Sequence, residues 1–336
     1  MGVGSSLLPR GAIETASSAQ GTFGPAREQA LSTLELSGTA SALRGRRVRR
    51  YMRWDRSALL FLLPWFIHLA LFTIYPLFLA LLGSVSDWNI LTDERRFVGL
   101  EYFGELLHDP FFFQTLHNTA VYLIVQVPLS IVFGLFAATL LNQRLPGWQL
   151  FRGIYFLPVV VPVVVLAIVW RWMFSKDTGV LNYALSGFGI SPVPWLTSQS
   201  LAMPSIALMK VWTDIGFYGV IFLAALQGMP GDLIDAAKVD GATDWQAFWH
   251  IKLPMLNPVL VFCIVMGTLW AMQVFAEPLL MTEGGPAGAS TSTLLYLYRQ
   301  GFDFSRLGFA SAGGIVIAAL ILILVGIERK VLTRDF

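Results

Sequence analysis

The chain has 336 residues, of which 55% are hydrophobic and only 13% are charged. Soluble domains carry about 25% charged residues, so the composition excludes an ordinary soluble protein and predicts an integral membrane protein. The formal net charge of +2 is small, and the distribution of the charges along the chain is more informative than their sum.

Residues 1–56 are the first segment of the chain. They are rich in Ser, Gly, Ala and Thr and lack the apolar core of a cleavable signal peptide. We predict a largely disordered cytoplasmic tail with a basic end. The arginines of that end directly precede the first apolar run and are Arg44, Arg46, Arg47, Arg49, Arg50, Arg53 and Arg56. Next to a membrane span, such a cluster indicates the cytoplasmic side of the membrane rather than a nucleic-acid partner.

Six apolar runs lie between residues 57 and 330, and each has the length of a membrane span, roughly 20 residues. The predicted spans are Ala58–Gly83, Thr119–Leu141, Ile154–Trp170, Leu201–Gln227, Met255–Ala276 and Leu307–Ile327. This pattern predicts an all-α, polytopic helical bundle with six transmembrane helices, followed by a short C-terminal tail over residues 331–336. Lys and Arg are concentrated after spans two, four and six, which predicts that both termini are cytoplasmic.

The segment between spans one and two, residues 89–119, alternates acidic and aromatic residues. We expect it to form short helices along the outer membrane surface, because Tyr and Phe side chains are enriched at the headgroup level.

Span four contains two charged residues, Lys210 and Asp214, four positions apart on one helical face. Charged groups inside spans are costly, about 2.5–3.5 kcal/mol on insertion scales, and are therefore candidates for function. Two interpretations are open: a structural ion pair that faces a neighbouring helix, or a contact with a transported substrate.

A polar segment, residues 228–254, separates spans four and five. Pro230 and Asp232 predict a helix start, Gly241 interrupts the helical pattern, and Thr243 with Gln246 reads as a capping box for a second helix. The segment therefore predicts a helix–glycine–helix hairpin on the cytoplasmic side. Helices this short are marginal alone in water, so we expect the hairpin to dock onto a partner or onto the lipid headgroups.

The stretch DAAKVDGATDWQAFWHIKLPMLNP in this hairpin resembles the EAA motif of permease subunits of ABC importers, with Asp in place of Glu at position 235. The stretches YPLFLALLGSVSDW, GFYGVIFLAALQGMPGDL and LLMTEGGPAGASTSTLLYLYRQGF are similar to the carbohydrate-uptake branch, the maltose and glycerol-phosphate type. The resemblance extends over roughly residues 57–330 and implies the transmembrane domain of a type I ABC importer.

The resemblance implies that the hairpin is a coupling helix that sits in a cleft of a separate ATPase. The residues expected to carry this coupling are Asp235, Ala236, Ala237, Gly241, Ile251, Leu253 and Pro254. It also implies that spans four and five line a substrate pathway. The expected pathway residues are Trp212, Asp214, Ile215, Gly216, Gly219, Gly267, Trp270, Ala271 and Gln273.

The sequence has no P-loop, no zinc-protease motif and no nucleophile elbow, and its four histidines are scattered. We therefore expect a transport subunit that is not itself an enzyme and that binds no metal or cofactor, with ATP and Mg bound by the partner ATPase. The implied partners are a second, different permease chain, two cytoplasmic ATPases, an extracytoplasmic solute-binding protein, membrane lipid and a small sugar. The alternatives are an importer for glycerol phosphate or its diesters and, from other classes, a secondary transporter, a channel or a membrane enzyme. The expected location is the bacterial or archaeal plasma (inner) membrane.

Overall fold

The computed structural model of the chain describes residues 56–88, 95–143 and 148–332, and most of them are helical. The helices are α1 (Arg56–Leu69), α2 (Tyr75–Ser84), α3 (Glu101–His108), α4 (Pro110–Leu141), α5 (Trp148–Val160), α6 (Val163–Met173), α7 (Val180–Ser186), α8 (Ala202–Gln227), α9 (Gly231–Val239), α10 (Asp244–Ala247), α11 (Leu253–Met255), α12 (Asn257–Met272), α13 (Ala276–Met281), α14 (Thr293–Tyr298) and α15 (Leu307–Leu332). Three π-helical segments, Ala70–Ile74, Phe248–Lys252 and Arg299–Asp303, join or extend these helices.

The chain divides into two units, residues 1–66 and 67–336. Of the first unit the structure describes residues 56–66, which form the beginning of α1. Almost all of the predicted N-terminal tail, residues 1–55, lies outside the described residues. The same holds for residues 333–336, at the end of the predicted C-terminal tail. All sites discussed below belong to the second unit.

Four of the described helices are long and apolar enough to cross a membrane: Leu60–Ser84, Pro110–Leu141, Ala202–Gln227 and Leu307–Leu332. Two bent helix pairs pass the same test, so the described residues provide up to six spans if each pair is one span. The pairs are Gly153–Val160 with Val163–Met173 and Asp244–Met255 with Asn257–Met272. The predicted helical membrane bundle is confirmed, and the charged residues of span four do not interrupt its helix.

Predicted span three is not one straight helix. Its two halves, α5 and α6, meet at an angle of 105°, and Pro162 adopts φ −56° and ψ 137° at the break. Proline has no backbone N–H and disfavours the helical conformation of the residue before it. Pro158, by contrast, lies inside α5. The two prolines therefore have different effects, and only the second one breaks the span.

Span two begins nine residues before its predicted start, because α4 runs over all 32 residues of Pro110–Leu141. The Asp109 side chain accepts a hydrogen bond from the Phe111 N–H at 2.9 Å, and Pro110 occupies the first helical turn. Both features are typical of a helix start. The polar residues up to His117 and Asn118, predicted to be part of a surface segment, are the first turns of this span.

The segment after span one begins with a short β-hairpin rather than with a helix. Strands β1 (Ser86–Trp88) and β2 (Arg95–Phe97) pair antiparallel, with Ser86 opposite Phe97. The expectation of short helices alone was wrong here, and only α3 matches it. Burial and a hydrogen bond to Asp87 raise the pKa of Tyr102 to about 12, which keeps this hydroxyl a neutral donor that links α3 to β1.

Helices α4 and α8 form the centre of the bundle, and α5, α12 and α15 pack around them. The large side chains Tyr122, Tyr218 and Phe222 are almost completely buried between them. Small residues allow the helices to approach: a Cβ atom added at Gly134 of α4 would lie 2.7 Å from the Tyr218 Cβ of α8. Such close backbone contact is typical of membrane helix packing.

The loop between α13 and α14 packs against the start of α4. Asn118 donates hydrogen bonds to the Gly288 carbonyl at 2.8 Å and the Thr291 carbonyl at 3.0 Å. Thr119 Oγ1 accepts a hydrogen bond from the Thr293 N–H at 3.0 Å. Buried backbone groups need such partners, so two polar residues of α4 hold a polar loop in a buried position.

Candidate functional sites: the polar hairpin and the central cavity

The predicted hairpin is present between α8 and α12. Its first arm is α9, with nine residues, and its second arm is the helical run α10, π segment and α11. Gly241 lies between the arms with φ +85°, a conformation that is unfavourable for residues with a Cβ atom. Asn257, at the start of α12, donates a hydrogen bond to the Leu332 carbonyl at 3.5 Å. The hairpin and the end of α15 are therefore on the same side of the bundle.

The predicted capping box at the second arm is confirmed. The Thr243 N–H donates to Gln246 Oε1 at 2.8 Å, and the Gln246 N–H donates to Thr243 Oγ1 at 3.3 Å. These bonds satisfy backbone donors that the first turn of a helix leaves unpaired. The start of the second arm is therefore determined locally by two side chains.

Pro254 lies inside the helical run of this arm. The helix continues to Met255, and the 64° bend to α12 lies after that residue. Directly before the proline, the π-helical segment Phe248–Lys252 has a wider hydrogen-bond ring, in which the Leu253 N–H donates to the Phe248 carbonyl. π-helical turns of this kind are frequent at functional sites.

A groove of about 340 Å³ lies at the turn of the hairpin. It is lined by Asp240, Gly241, Ala242, Gln246, Ala247, His250 and Ile251. Of the expected coupling residues, the structure brings Gly241 and Ile251 together in this groove. The others lie outside it: Asp235, Ala236 and Pro254 are exposed, and Ala237 and Leu253 are half-buried.

Three aromatic side chains cluster on the second arm. The Trp245 ring lies 5.5 Å from the Trp249 ring and 6.5 Å from the Phe248 ring. These rings contact one another, yet Trp245 remains 70% exposed and Trp249 47% exposed. Exposed apolar patches of this kind mark surfaces that bind a partner or a membrane. The hairpin thus presents an apolar face beside its groove.

A second site is a cavity of about 300 Å³ between α4, α8 and the region where α12 leads into α13, here called the central cavity. Its lining residues are Tyr122, Gln126, Lys210, Trp270, Ala271, Gln273, Val274, Phe275, Ala276 and Glu277. Aromatic rings and a few converging polar groups are typical of small-molecule sites.

Lys210 and Asp214 form a salt bridge of 2.9 Å in the wall of this cavity. The amide of Gln126 donates a hydrogen bond to the other Asp214 oxygen at 2.6 Å, so α4 takes part in the pair. Asp214 is only 5% exposed. The pair is therefore compatible with both interpretations, a structural ion pair and a substrate contact. It holds two helices together, and Lys210 also lines the cavity.

Three of the nine expected pathway residues, Trp270, Ala271 and Gln273, line the central cavity, and Asp214 is linked to it by its salt bridge. Three others contact α5: Cβ atoms at Gly216 and Gly219 would meet Tyr155, and the Ile215 carbonyl accepts a hydrogen bond from the Tyr155 hydroxyl at 2.7 Å. Gly267 approaches the Tyr218 hydroxyl, and Trp212 lies beside Trp170. The structure does not bring these five residues to the central cavity.

Sequence reasoning missed four polar or aromatic residues of the cavity, namely Tyr122, Gln126, Phe275 and Glu277. The rule that polar groups in spans are functional candidates points to Gln126, and to Glu277 at the predicted end of span five. Among the described residues, no cluster of three or more His, Cys, Asp or Glu side chains could hold a metal ion.

A larger cavity, of about 710 Å³, lies beside the turn that follows α13. It includes Arg171 in the last turn of α6, Lys176 after that helix, and Gly285 and Pro286 of the turn. Arg171 donates a hydrogen bond to the Leu280 carbonyl at 3.5 Å. Polar and basic groups therefore surround an open space between the end of the broken span and the α13–α14 loop.

The chain matches the family model described as "Binding-protein-dependent transport system inner membrane component" over residues 130–334. It is 33% identical over 275 residues to the probable ABC transporter permease protein YurN of Bacillus subtilis strain 168, an alignment that covers 81% of this chain and 94% of that protein. It is 34% identical to the lactose transport system permease protein LacF of Rhizobium radiobacter, with 82% of this chain and 93% of the relative covered.

The trehalose/maltose transport system permease protein MalF of Thermococcus litoralis is also 34% identical, with 78% of this chain and 89% of the relative covered. Among solved structures, a chain from the crystal structure of a bacterial alginate ABC transporter in complex with alginate pentasaccharide-bound periplasmic protein has a TM-score of 0.74. It is 24% identical, and the match covers 86% of this chain and 98% of that chain. At this identity, the likeness shows a common fold.

Proposed function

The chain belongs to the family of binding-protein-dependent transport system inner membrane components, and on that premise we propose that it forms half of the pathway by which a sugar crosses the membrane. It is a multi-pass membrane subunit of an ABC importer, has the type I importer fold and is a transport subunit rather than an enzyme. The names of the lactose and trehalose/maltose relatives favour a sugar over a glycerol phosphate as the transported substrate.

The hairpin couples this chain to a separate ATPase. The single observation that carries this proposal is the exposed groove at Gly241, next to an apolar face that has no covering segment among the described residues. Gly241 and Ile251 contact the ATPase in the groove. Asp235, Ala236, Ala237, Leu253 and Pro254 provide the surrounding surface. Short helices are marginally stable alone and gain stability by docking, so binding to the ATPase would stabilise the hairpin.

The working assembly contains a second, different permease chain, two ATPases that bind ATP and Mg, and an extracytoplasmic solute-binding protein. The hairpin and the end of α15 lie on one side of the bundle, which is the cytoplasmic side. The N-terminus lies on the same side, as an even number of spans requires, and the concentration of Arg and Lys residues supports this orientation.

The substrate passes along α8 and α12. Trp270, Ala271 and Gln273 contact it in the central cavity, and Asp214 acts through its pair with Lys210. The other five expected residues shape the pathway through helix packing, because their neighbours are atoms of adjacent helices. They are Trp212, Ile215, Gly216, Gly219 and Gly267. A movement of α5 or α4 against these glycines would change the width of the pathway.

An Ala242→Trp variant tests the coupling function. Ala242 lines the groove, so a Trp side chain would fill the space that the ATPase occupies. When the whole transporter is purified from membranes, we expect the variant to lose most of the co-purifying ATPase while the second permease chain stays bound. Transport-linked ATP hydrolysis should fall in parallel.

The matched control is Ala184→Trp, because Ala184 is an exposed alanine on α7, outside the hairpin. It should leave both ATPase binding and hydrolysis at the level of the unmodified protein. If Ala242→Trp retains the ATPase and its stimulation by a loaded binding protein, the hairpin is a surface loop and the coupling proposal is wrong.

A further inference from the structure

Glu277 is an acidic side chain in the wall of the central cavity. It is only 8% exposed, it lines the cavity, and it lies close enough to Lys210 to interact with it electrostatically. Within the described part of the chain, no group donates a hydrogen bond to its carboxylate. A carboxylate only accepts hydrogen bonds, so this side chain is suited to a ligand that supplies donors.

Gln126 is a second polar residue of the same wall. Its amide nitrogen is used by Asp214, but its Oε1 atom is completely buried and has no hydrogen-bond partner among the described residues. Gln126 is 2% exposed and also lines the cavity. Because the Gln126 oxygen is enclosed by the protein, Glu277 on α13 is the more accessible acceptor of this wall.

The charges of the cavity wall do not cancel. Lys210 contributes one positive charge, which Asp214 neutralises in the salt bridge, and Glu277 adds a further negative charge. A ligand anion would have to approach this excess of negative charge in a region of low dielectric constant, where like charges repel strongly. A hydroxyl group avoids this cost, because it donates to Glu277 and accepts from the Lys210 ammonium.

We propose that the central cavity is a subsite for an uncharged, polyhydroxylated ligand, and that Glu277 determines its specificity by accepting hydroxyl hydrogen bonds and repelling anionic sugars. This inference depends on the proposed transport function, because it assigns the substrate class of that pathway. Trp270, 42% exposed at the cavity, provides the apolar surface against which a sugar ring packs. The same arrangement disfavours a glycerol phosphate, whose charge Glu277 would repel.

The test measures ligand binding to the purified complex of the two permeases and the ATPases, without the binding protein, whose own selectivity would obscure the result. The probes are radiolabelled maltose, trehalose and lactose as neutral sugars and digalacturonate as an acidic one. We expect at least one neutral sugar to bind about tenfold more tightly than the acidic one. Glu277→Gln should weaken that binding by about tenfold, the loss expected for a charge-assisted hydrogen bond, and should remove most of the preference over digalacturonate.

Two further variants separate the loss of charge from a general loss of structure. Glu277→Asp retains the negative charge, so it should continue to exclude digalacturonate even where neutral binding weakens. Glu283→Gln makes the same chemical change at an exposed residue of the following turn and should leave both affinities unaltered. Thermal unfolding of each complex shows whether the variants are folded.

The proposal is overturned if digalacturonate binds as tightly as every neutral sugar, if none of the four probes binds, or if Glu277→Gln leaves the preference unchanged. ATP-driven sugar uptake by vesicles that contain the whole transporter is measured separately. If the vesicles still take up sugar although one of these three results is obtained, the proposed function stands and only the role of Glu277 is rejected. If the unmodified transporter shows no ATP-driven sugar uptake, the proposed function itself is rejected.

Discussion

The contribution of the Lys210–Asp214 pair to stability depends on the residues around it. Their spacing of four residues permits a salt bridge on any helix. Gln126, 88 residues earlier in the chain, makes the pair part of a buried network by its hydrogen bond to Asp214. Breaking a buried pair by removing one partner leaves an uncompensated charge, which typically costs about 3–5 kcal/mol.

We predict that Lys210→Met strongly destabilises the protein, whereas the double variant Lys210→Met with Asp214→Asn recovers part of the lost stability. The reason is that the double variant removes both charges of the salt bridge, and the new amide still accepts the hydrogen bond of Gln126. Glu277 loses its interaction with Lys210 in both variants. Thermal unfolding of the detergent-purified protein measures both effects. Equal destabilisation by the single and the double variant would show that the ion pair itself, rather than the unpaired charge, determines stability.

Among the elements, the hairpin is the one whose parts the sequence specifies most directly. Its capping box joins residues three positions apart, and its turn depends on one glycine. The α13–α14 loop is the opposite case, because Asn118 holds it from 170 residues away in the chain. One element is stabilised by local interactions and the other by tertiary contacts.

We predict that Gly241→Ala opens the hairpin locally. Its φ of +85° costs a residue with a Cβ atom about 1–2 kcal/mol, although the added atom would meet no neighbour within 4 Å. Hydrogen exchange of the amides in residues 231–255 should become roughly tenfold faster, since 1.4 kcal/mol is a factor of ten.

Gly231→Ala is the control for this prediction, since Gly231 also has open space around it but no positive φ. Its exchange should stay at the original rate or slow slightly, as expected where Ala adopts the native backbone without strain. Similar exchange rates in the two variants would mean that the backbone conformation of Gly241 does not hold the hairpin together.

At the scale of the whole molecule, α4 and α8 form the most extensive helix–helix contact among the described elements. The two helices meet at Gly134, where a Cβ would also come within 3.2 Å of the Gly219 N atom. The central cavity lies along the same pair of helices, because Tyr122 and Gln126 belong to α4 and Lys210 belongs to α8. The packing of the bundle and the geometry of the cavity thus depend on one contact.

We predict that Gly134→Leu forces α4 and α8 apart and lowers the stability of the folded protein by about 1–3 kcal/mol or more, the usual cost of overpacking. Gly314→Leu makes the same change in α15 at an exposed glycine with no atom within 4 Å of the added Cβ. Its thermal unfolding temperature should stay close to that of the unmodified protein. An equal loss in both variants would contradict the role of the α4–α8 contact.

The sequence by itself determined the membrane class of the protein, the approximate spans, and the hairpin with its glycine and capping box. These features depend on hydrophobicity and on interactions over three or four residues, which a single sequence displays directly. The candidate residues Trp270, Ala271 and Gln273 came from the resemblance to a known family. The sequence did not determine the 105° break at Pro162, the β-hairpin or the early start of α4.

Only the tertiary structure showed that Gln126, Lys210 and Glu277 line one cavity. It also showed that Gly216 and Gly219 pack against Tyr155. Which residues meet depends on which helices pack together, and residues that meet in this way are separated by tens to hundreds of positions in the chain. The energy of a buried polar group depends on those neighbours rather than on its position in the sequence. The polar residues of the membrane region could therefore be found from the sequence, but their partners could not.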